Sequence, residues 1–217
     1  GVNHMKYSTI KFLAPLLVLV LTVHSQADQY QSNELVSNQG QTEQEVKTIA
    51  ELESELNQLT DAYSKDSTAR FLARHYAQQN GEASFEKAVE YYRLSLKGDG
   101  LSKFAKQVTI LELMELYYAK EKYSDYLSGY EELLTYDGKP TSGTKIKHLL
   151  SHYHLDNKKK SLSLAQQLYN NYLANSISLG VDELNQLIYI FYNLGDFLSS
   201  INVQQSIIAL DSYNSEQ

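Results

Sequence analysis

The sequence predicts an all-helical protein built from repeated helical hairpins, and three observations support this. Apolar residues recur at spacings of three and four along most of the chain, which is the periodicity of one helix face. Only 2 Pro and 10 Gly occur among 217 residues, and alternating β-branched patterns are scarce. The aromatic residues are mostly Tyr, with 18 Tyr against 6 Phe, and Tyr suits helix interfaces because its ring packs while its hydroxyl reaches water.

Residues 1–27 are predicted to be a signal peptide preceded by four upstream residues. They combine two lysines, an apolar run of about a dozen residues from Phe12 to Val23, and small residues at Ser25 and Ala27. An uncleaved anchor is the alternative, but a spanning helix needs roughly twenty apolar residues. We therefore expect export, periplasmic or secreted, with cleavage after Ala27 and no stable membrane span afterwards.

Residues 28–41 are rich in Gln, Asn and Ser and predict a flexible linker. A helix is then predicted over residues 42–64, because Thr42 and Glu45 have capping-box spacing. One apolar stripe runs along this predicted helix: Val46, Ile49, Leu52, Leu56, Leu59 and Tyr63. This stripe fits either a helix that caps the repeats or a seam that pairs two copies in a structural oligomer, and we favour the cap.

The first hairpin is predicted over residues 66–100, with a turn at Asn80 and Gly81 and an end at Gly98 and Gly100. Its two helices share the same spacing of packing positions. These positions are Ala69, Leu72, Ala73 and Tyr76 in the first helix and Phe85, Ala88, Val89 and Tyr92 in the second.

Three further hairpins are predicted over residues 107–140, 143–176 and 181–214. Their first helices have packing positions like those of the first hairpin: Ile110, Leu113, Met114 and Tyr117, then Ile146, Leu149, Leu150 and Tyr153, then Leu184, Leu187, Ile188 and Phe191. Aligning Phe85, Tyr123, Leu162 and Phe197 at the turns gives spacings of 38, 39 and 35 residues. The position of the second-helix alanine Ala88 is then taken by Tyr126, Ala165 and Ser200.

This pattern resembles the tetratricopeptide repeat (TPR) and its Sel-like relatives, whose usual period is 34 residues. The resemblance covers about two thirds of the chain and implies a right-handed α-solenoid of stacked hairpins. It also implies a groove, lined by the first helices, that binds a peptide or protein segment. On that basis the chain is expected to be a non-enzymatic exported adaptor, in an envelope assembly or a transport complex.

Mapped onto this sequence, the resemblance assigns eleven residues to the partner-binding groove: Arg70, Arg74, Glu115, Tyr118, Lys147, Ser151, His154, Asn185, Tyr189, Tyr192 and Asn193. Three basic groups and two carboxamides in an acidic protein favour an acidic or carboxylate-bearing partner. The Lys and Asn pattern with which some family members clamp a terminal carboxylate is absent, so only the groove is carried over.

Composition and motifs argue against several other functions. The net charge is −7, and −9 without the leader lysines, which disfavours binding to nucleic acid or anionic membranes. The chain has no Cys, so it cannot use a thiolate nucleophile or thiolate metal ligand. It has neither a serine nucleophile elbow nor a phosphate-binding glycine loop, and we predict no catalytic residues and no cofactor.

The one candidate metal site lies in the third hairpin, where His148 and His152 are four residues apart, with His154 and Asp156 nearby. Two imidazoles at this spacing can chelate zinc, but Leu149 occupies the place where zincins have Glu. We interpret the cluster as a polar helix face, with a metal-binding or enzymatic module as the alternative. A last alternative concerns Ile201, Ile207 and Ile208, which would form an apolar end face suited to self-association or a partner.

Overall fold

The computed structural model describes the backbone of residues 47–215 and the side chains of residues 47–210. This part of the chain forms nine α-helices and no strand. The helices are α1 Ile49–Leu56, α2 Ala62–Ala77, α3 Glu82–Lys97, α4 Lys103–Ala119, α5 Tyr123–Thr135, α6 Ser142–His154, α7 Lys158–Leu173, α8 Val181–Asn193 and α9 Phe197–Ser215. The predicted signal peptide, the linker and the first residues of the predicted 42–64 helix lie outside the described residues.

Helices α2 to α9 form four antiparallel hairpins, and each hairpin packs on the next. Within this array the second helix of one hairpin contacts the first helix of the following one, and α6 also contacts α8. The predicted first-helix positions are the core: Leu72, Leu113, Leu149 and Leu187 are each at most 1% exposed. The prediction of repeated helical hairpins is therefore confirmed, and so is the register within the helices.

The small-residue position of the second helices is buried in every hairpin, even where its residue is large. Ala88, Tyr126 and Ala165 are fully buried, and Ser200 is 8% exposed. Tyr126 donates its hydroxyl to the carbonyl of Thr144 at 3.0 Å, so its ring joins the second hairpin to the third. Gly129 makes room nearby, since a Cβ there would lie 2.7 Å from Met114 Cγ.

The prediction of one helix over residues 42–64 is wrong. Residues 47 and 48 are not helical, and α1 begins at Ile49. The capping box is formed by Thr48 and Glu51: the Glu51 N–H donates to Thr48 Oγ1 at 3.3 Å, and the Thr48 N–H donates to the Glu51 carboxylate at 2.7 Å. The stripe breaks after Leu56, because Asp61 caps a new helix by accepting the Ser64 N–H at 2.7 Å.

Helix α1 covers the outer side of the first hairpin. Leu56 is 3% exposed and packs with Ala69 and Leu72. Glu53 accepts hydrogen bonds from the Tyr76 hydroxyl at 2.7 Å, from Lys87 Nζ at 2.9 Å and from the Tyr91 hydroxyl at 2.9 Å. In residues 49–56 the apolar stripe is thus used inside the chain, as in the capping interpretation.

The first and second hairpins begin four residues earlier than predicted. Asp61 caps α2, and Ser102 caps α4 by accepting the Ala105 N–H at 3.2 Å. Both caps lie upstream of the first packing residues of their helices. The glycines after α3 are required by close packing. A Cβ on Gly98 would lie 1.9 Å from a carboxylate oxygen of buried Asp66, and that carboxylate accepts the Gly100 N–H at 2.7 Å.

The buried apolar residues of the hairpins form two large clusters, besides the small cluster of Leu56, Ala69 and Leu72. One cluster fills the first two hairpins around Ile110 and Leu113, and another fills the last two around Leu187 and Phe191. The turns that close the first and last hairpins contain Gly81 at φ +111° and Gly195 at φ +81°, backbone conformations that favour glycine. None of the helices in the described part of the chain has the length and apolarity needed to cross a bilayer.

Candidate functional site

The candidate site is the common face of the four first helices, α2, α4, α6 and α8, here called the first-helix face. Side-chain contacts join these helices in order across the hairpins. Arg70 of α2 binds Glu112 of α4, Lys147 of α6 binds Glu115 of α4, and Tyr153 of α6 contacts Tyr189 of α8. Most residues that the resemblance assigned to a groove therefore lie along one side of the array.

The α2 end of this face is a charged cluster centred on one carboxylate. Glu112 accepts from Arg70 Nη2 at 2.9 Å and from Arg74 Nη2 at 2.6 Å, and both Nε groups also approach it. Burial alone would raise the pKa of Glu112, but the hydrogen bonds and charges of the two guanidinium groups outweigh it and hold that pKa below its usual range. Both arginines are thus already engaged by a carboxylate of this chain.

The third predicted basic group is also paired inside the chain. Lys147 forms an ion pair with Glu115, and its ammonium lies 5.4 Å from the centre of the Tyr118 ring. All three cations that predicted an acidic partner are therefore paired with carboxylates of this chain. A partner carboxylate would have to compete with them.

A continuous row of rings crosses the middle of the first-helix face. We call it the aromatic row, and it consists of Tyr118, Tyr123, His154, Tyr153 and Tyr189. Ring centres are 5.7 Å apart between Tyr118 and Tyr123, and 4.3 Å apart between Tyr123 and His154, which stack in parallel. Tyr153 lies 5.7 Å from both His154 and Tyr189. Four helices from three hairpins, α4, α5, α6 and α8, contribute to the row.

The aromatic row presents both apolar area and hydroxyl groups. Tyr189 is 45% exposed, and His154 is also exposed. Burial, followed by the nearby Tyr123 and Glu115, raises the pKa of Tyr118 to about 12, so its hydroxyl keeps its proton at neutral pH. Rings that pack together and still reach solvent are suited to protein contacts.

The α8 end of the first-helix face carries neutral side chains. Tyr192 is 62% exposed, with its ring centre 5.4 Å from that of Phe197. Asn193 is exposed and donates its side-chain amide to the Tyr189 carbonyl at 2.7 Å, and Asn185 is exposed as well. This end offers an exposed ring and amides to a partner.

The structure removes one residue from the predicted set of exposed groove residues and adds two residues that the sequence analysis had placed at packing positions. Ser151 is fully buried and donates its hydroxyl to the Lys147 carbonyl at 2.8 Å, so its assignment to the exposed groove face is wrong. Tyr123 and Tyr153 were assigned to packing positions, yet both are members of the aromatic row. Tyr123 is the first residue of α5 and Tyr153 the penultimate residue of α6, so both lie close to a turn.

The three histidines of α6 pack against other aromatic rings. His148 is 9% exposed and stacks on Tyr130 with ring centres 3.9 Å apart, while His152 meets it edge-on at 4.9 Å. Burial lowers the pKa of His148 to about 4, with the nearby His152 and Lys160 adding to the effect. Among residues 47–210 no group of three or more His, Asp or Glu side chains is arranged to hold a metal ion.

Comparisons with known proteins bear on the fold. The sequence matches no protein-family model, and a search among curated proteins finds no significant match. Among solved structures the chain is similar to the TPR-like repeats of a putative kinesin light chain from Podosopora anserina, with a TM-score of 0.58 and 13% identity over 92% of this chain and 98% of that one. A variant of those repeats gives the same TM-score at 14% identity, over 92% and 97% of the two chains.

The chain therefore has the fold of a TPR-like α-solenoid, and that prediction is confirmed. At 13 to 14% identity the similarity carries the fold alone. A TPR-like fold is typical of proteins that bind other proteins.

Proposed function

We propose that the protein is a non-enzymatic adaptor that binds a protein or peptide segment on its first-helix face, with the aromatic row as the main contact. The observation that carries this proposal is the row itself, in which rings from three hairpins form one partly exposed surface. Tyr supplies large contact area at a small entropic cost and is enriched where interfaces concentrate their energy.

The proposed partner segment contacts the face mainly through apolar and neutral polar groups. The arginines at the α2 end are paired with Glu112, and Lys147 is paired with Glu115. The α8 end presents Tyr192 and Asn185 without a charged neighbour on that helix after Glu183. Electrostatic attraction to an acidic segment, which the sequence favours, is therefore a smaller part of the proposal than ring and amide contacts.

Site-specific photo-crosslinking tests the location of the binding surface. A photoreactive residue would replace Asn185, which is exposed on α8, and a matched control would carry it at Asn170, which is exposed on α7. We expect one partner to crosslink at position 185 and not at 170. Equal capture at both positions, or none at either, would contradict the proposal.

A substitution pair tests the chemistry of the surface. Replacing Tyr189 and Tyr192 by Ala removes two exposed rings from the α8 end of the face, and Tyr63→Ala removes a similarly exposed ring from the start of α2. We expect the double variant to lose crosslinking at position 185 by about tenfold or more, as for loss of interface rings, while Tyr63→Ala keeps it. Retained capture in the double variant would show that neither Tyr189, the α8 member of the aromatic row, nor the neighbouring Tyr192 is a main contact.

We further propose that the adaptor works outside the cytoplasm, in the periplasm of a two-membrane cell, within an envelope assembly or transport complex. The support is the sequence of residues 1–27 alone, with its basic start, apolar run and small residues before the expected cleavage site. Mass spectrometry of the protein from its cells would test this. A mature chain that starts at Asp28 is expected, and an intact leader in the cytoplasmic fraction would refute export.

A further inference from the structure

Helix α9 has apolar residues on two opposite sides. Its inner side belongs to the core, with Val203 fully buried and Ile207 packed against the last two hairpins. Its other side, the α9 outer face, contains Leu198 and Ile201, which are 71% and 52% exposed. A helix that is apolar on both sides is typical of one that is buried on both sides.

The α9 outer face also lacks charge. Residues 197–210 contain no Asp, Glu, Lys or Arg, and the polar side chains among them are Ser, Asn and Gln. Two other second helices differ, since α3 exposes Glu86 and Glu90 and α5 exposes Glu131, while α7 exposes charge only at its first three residues, Lys158, Lys159 and Lys160. Amide and hydroxyl groups both donate and accept hydrogen bonds, so they can pair with their own copies, whereas a like charge would repel itself.

The opposite end of the array is already covered. Helix α1 lies on the first hairpin, with Leu56 buried against Leu72 and with Glu53 hydrogen-bonded to α2 and α3. A second copy that stacked its α9 on this end would have to displace α1. Direct stacking of α9 on the first hairpin of another copy is therefore disfavoured, and pairing of two α9 outer faces about a twofold axis needs no such displacement.

We propose that the protein forms a twofold-symmetric dimer in which the α9 outer face of one copy covers that of the other. The absence of charge on this face makes such pairing self-complementary even though the chain is acidic overall. The aromatic row contains no residue of α9, so the dimer would present two first-helix faces. This inference does not depend on the proposed partner binding.

Sedimentation equilibrium of the full chain, at concentrations up to roughly 100 μM, tests the proposal. We expect a mass twice that of the chain, and a monomer over the whole range would overturn the proposal. Ile201→Glu places a carboxylate opposite its own copy and should give a folded monomer by circular dichroism. Leu155→Glu, at a 47% exposed leucine in the turn after α6, is the matched control and should remain dimeric.

Cysteine crosslinking separates twofold pairing from any other dimer. The chain has no Cys, so an Ile201→Cys variant carries a single thiol. A short bis-maleimide should join two copies through position 201, because the axis brings the two α9 faces together, while a Leu155→Cys variant should stay uncrosslinked. A dimer by mass that crosslinks at position 155 and not at 201 would refute the α9 interface.

Discussion

The first three hairpins are joined to one another by ion pairs, whereas no ion pair joins the third and fourth among the described residues. The ion pairs include Arg74 with Glu112 and Arg93 with Glu132. Past residue 158 no ion pair occurs among the described residues, and residues 161–217 contain no Lys or Arg. The last two hairpins share apolar burial and neutral hydrogen bonds, including the one between the Tyr169 and Ser206 hydroxyls at 3.0 Å.

The two parts of the array differ in surface chemistry. We call residues 47–160 the ion-paired part and residues 161–210 the neutral-contact part. Ion pairs between hairpins are directional and keep the surface charged, which helps the acidic chain stay soluble. Neutral surfaces cost less to dehydrate than charged ones, so they suit contact with other chains. The exposed apolar residues Tyr192, Leu198 and Ile201 lie in the neutral-contact part. The proposed dimer contact lies wholly in this part, whereas the aromatic row extends from the ion-paired part to Tyr189 of the neutral-contact part.

The largest effect is expected from the core of the neutral-contact part. Phe191 is fully buried, so Phe191→Ala should lower the free energy of unfolding by about 3–5 kcal/mol, through lost burial and a cavity. The neighbouring Tyr192→Ala, at an exposed ring, should change it by less than about 0.5 kcal/mol. Urea unfolding measures both, and equal losses would contradict the difference in burial.

A smaller effect is expected from the central ion pair of the ion-paired part. Glu112→Gln removes the carboxylate that both partly buried guanidinium groups bind, and should cost about 1–3 kcal/mol. The matched change Glu115→Gln removes a half-exposed carboxylate and should cost less than about 1 kcal/mol. Urea unfolding at low salt checks this, and equal costs would show that Glu112 is not a structural centre.

The histidine pair of α6 should make stability depend on pH. The folded pKa of His148 is about 4 and that of His152 is also lowered, chiefly by burial, so the unfolded chain binds protons first as the pH falls. Stability should be fully present above about pH 6.5 and decline down to about pH 4, by at most about 1.4 kcal/mol per pH unit and group.

A double variant isolates the histidine contribution. His148→Phe with His152→Gln keeps a ring against Tyr130 and removes both titrating groups, so it should flatten the decline between about pH 6.5 and about pH 4.5. Carboxylates such as Glu112, whose pKa is lowered from 4.5, lose their contribution only below that window. Urea unfolding across this pH range measures the free energy of unfolding of both proteins. If the variant loses stability with falling pH as steeply as the parent, the decline is due to groups other than these histidines.

The smallest effect concerns helix caps. The first helices of the first three hairpins begin after capping side chains, as at Thr141, which accepts the Thr144 N–H at 3.2 Å, whereas α8 begins after Gly180 without a side-chain cap. Gly180→Ser should stabilise the protein by a few tenths of a kcal/mol, and Thr141→Ala should destabilise it by about 1 kcal/mol. Thermal unfolding measures both, and a loss on Gly180→Ser would mean that the added Cβ disturbs Glu183.

Most of the fold could be predicted because its signals are local. The spacing of Ile110, Leu113 and Tyr117 follows from helix geometry, and all three are buried as expected. Helix boundaries were less predictable. The same capping-box spacing occurs twice, at Thr42 with Glu45 and at Thr48 with Glu51. Only the second pair lies among the described residues, and there it forms a capping box. A local motif that occurs twice within a few residues cannot indicate which copy begins the helix.

The structure shows where the predicted groove residues lie, and their role in partner binding stays a prediction. Arg70, Lys147 and Tyr189 lie on the first-helix face as the resemblance implied, because that face follows from helix periodicity once the packing positions are known. The assignment of Ser151 to the exposed groove was wrong because its small side chain is fully buried and donates a hydrogen bond to the backbone carbonyl of Lys147. The aromatic row was missed because two of its contacts, Tyr123 with His154 and Tyr153 with Tyr189, join residues from different hairpins.

The sequence by itself determined the helical hairpins, their packing positions and the absence of Lys and Arg after residue 160, since these depend on residues close together in the chain. Only the tertiary structure decided that Arg70 and Arg74 bind Glu112, that five rings form one row and that α1 closes one end of the array. The physical reason is separation: these contacts join different hairpins and depend on how the hairpins pack, which local periodicity does not determine.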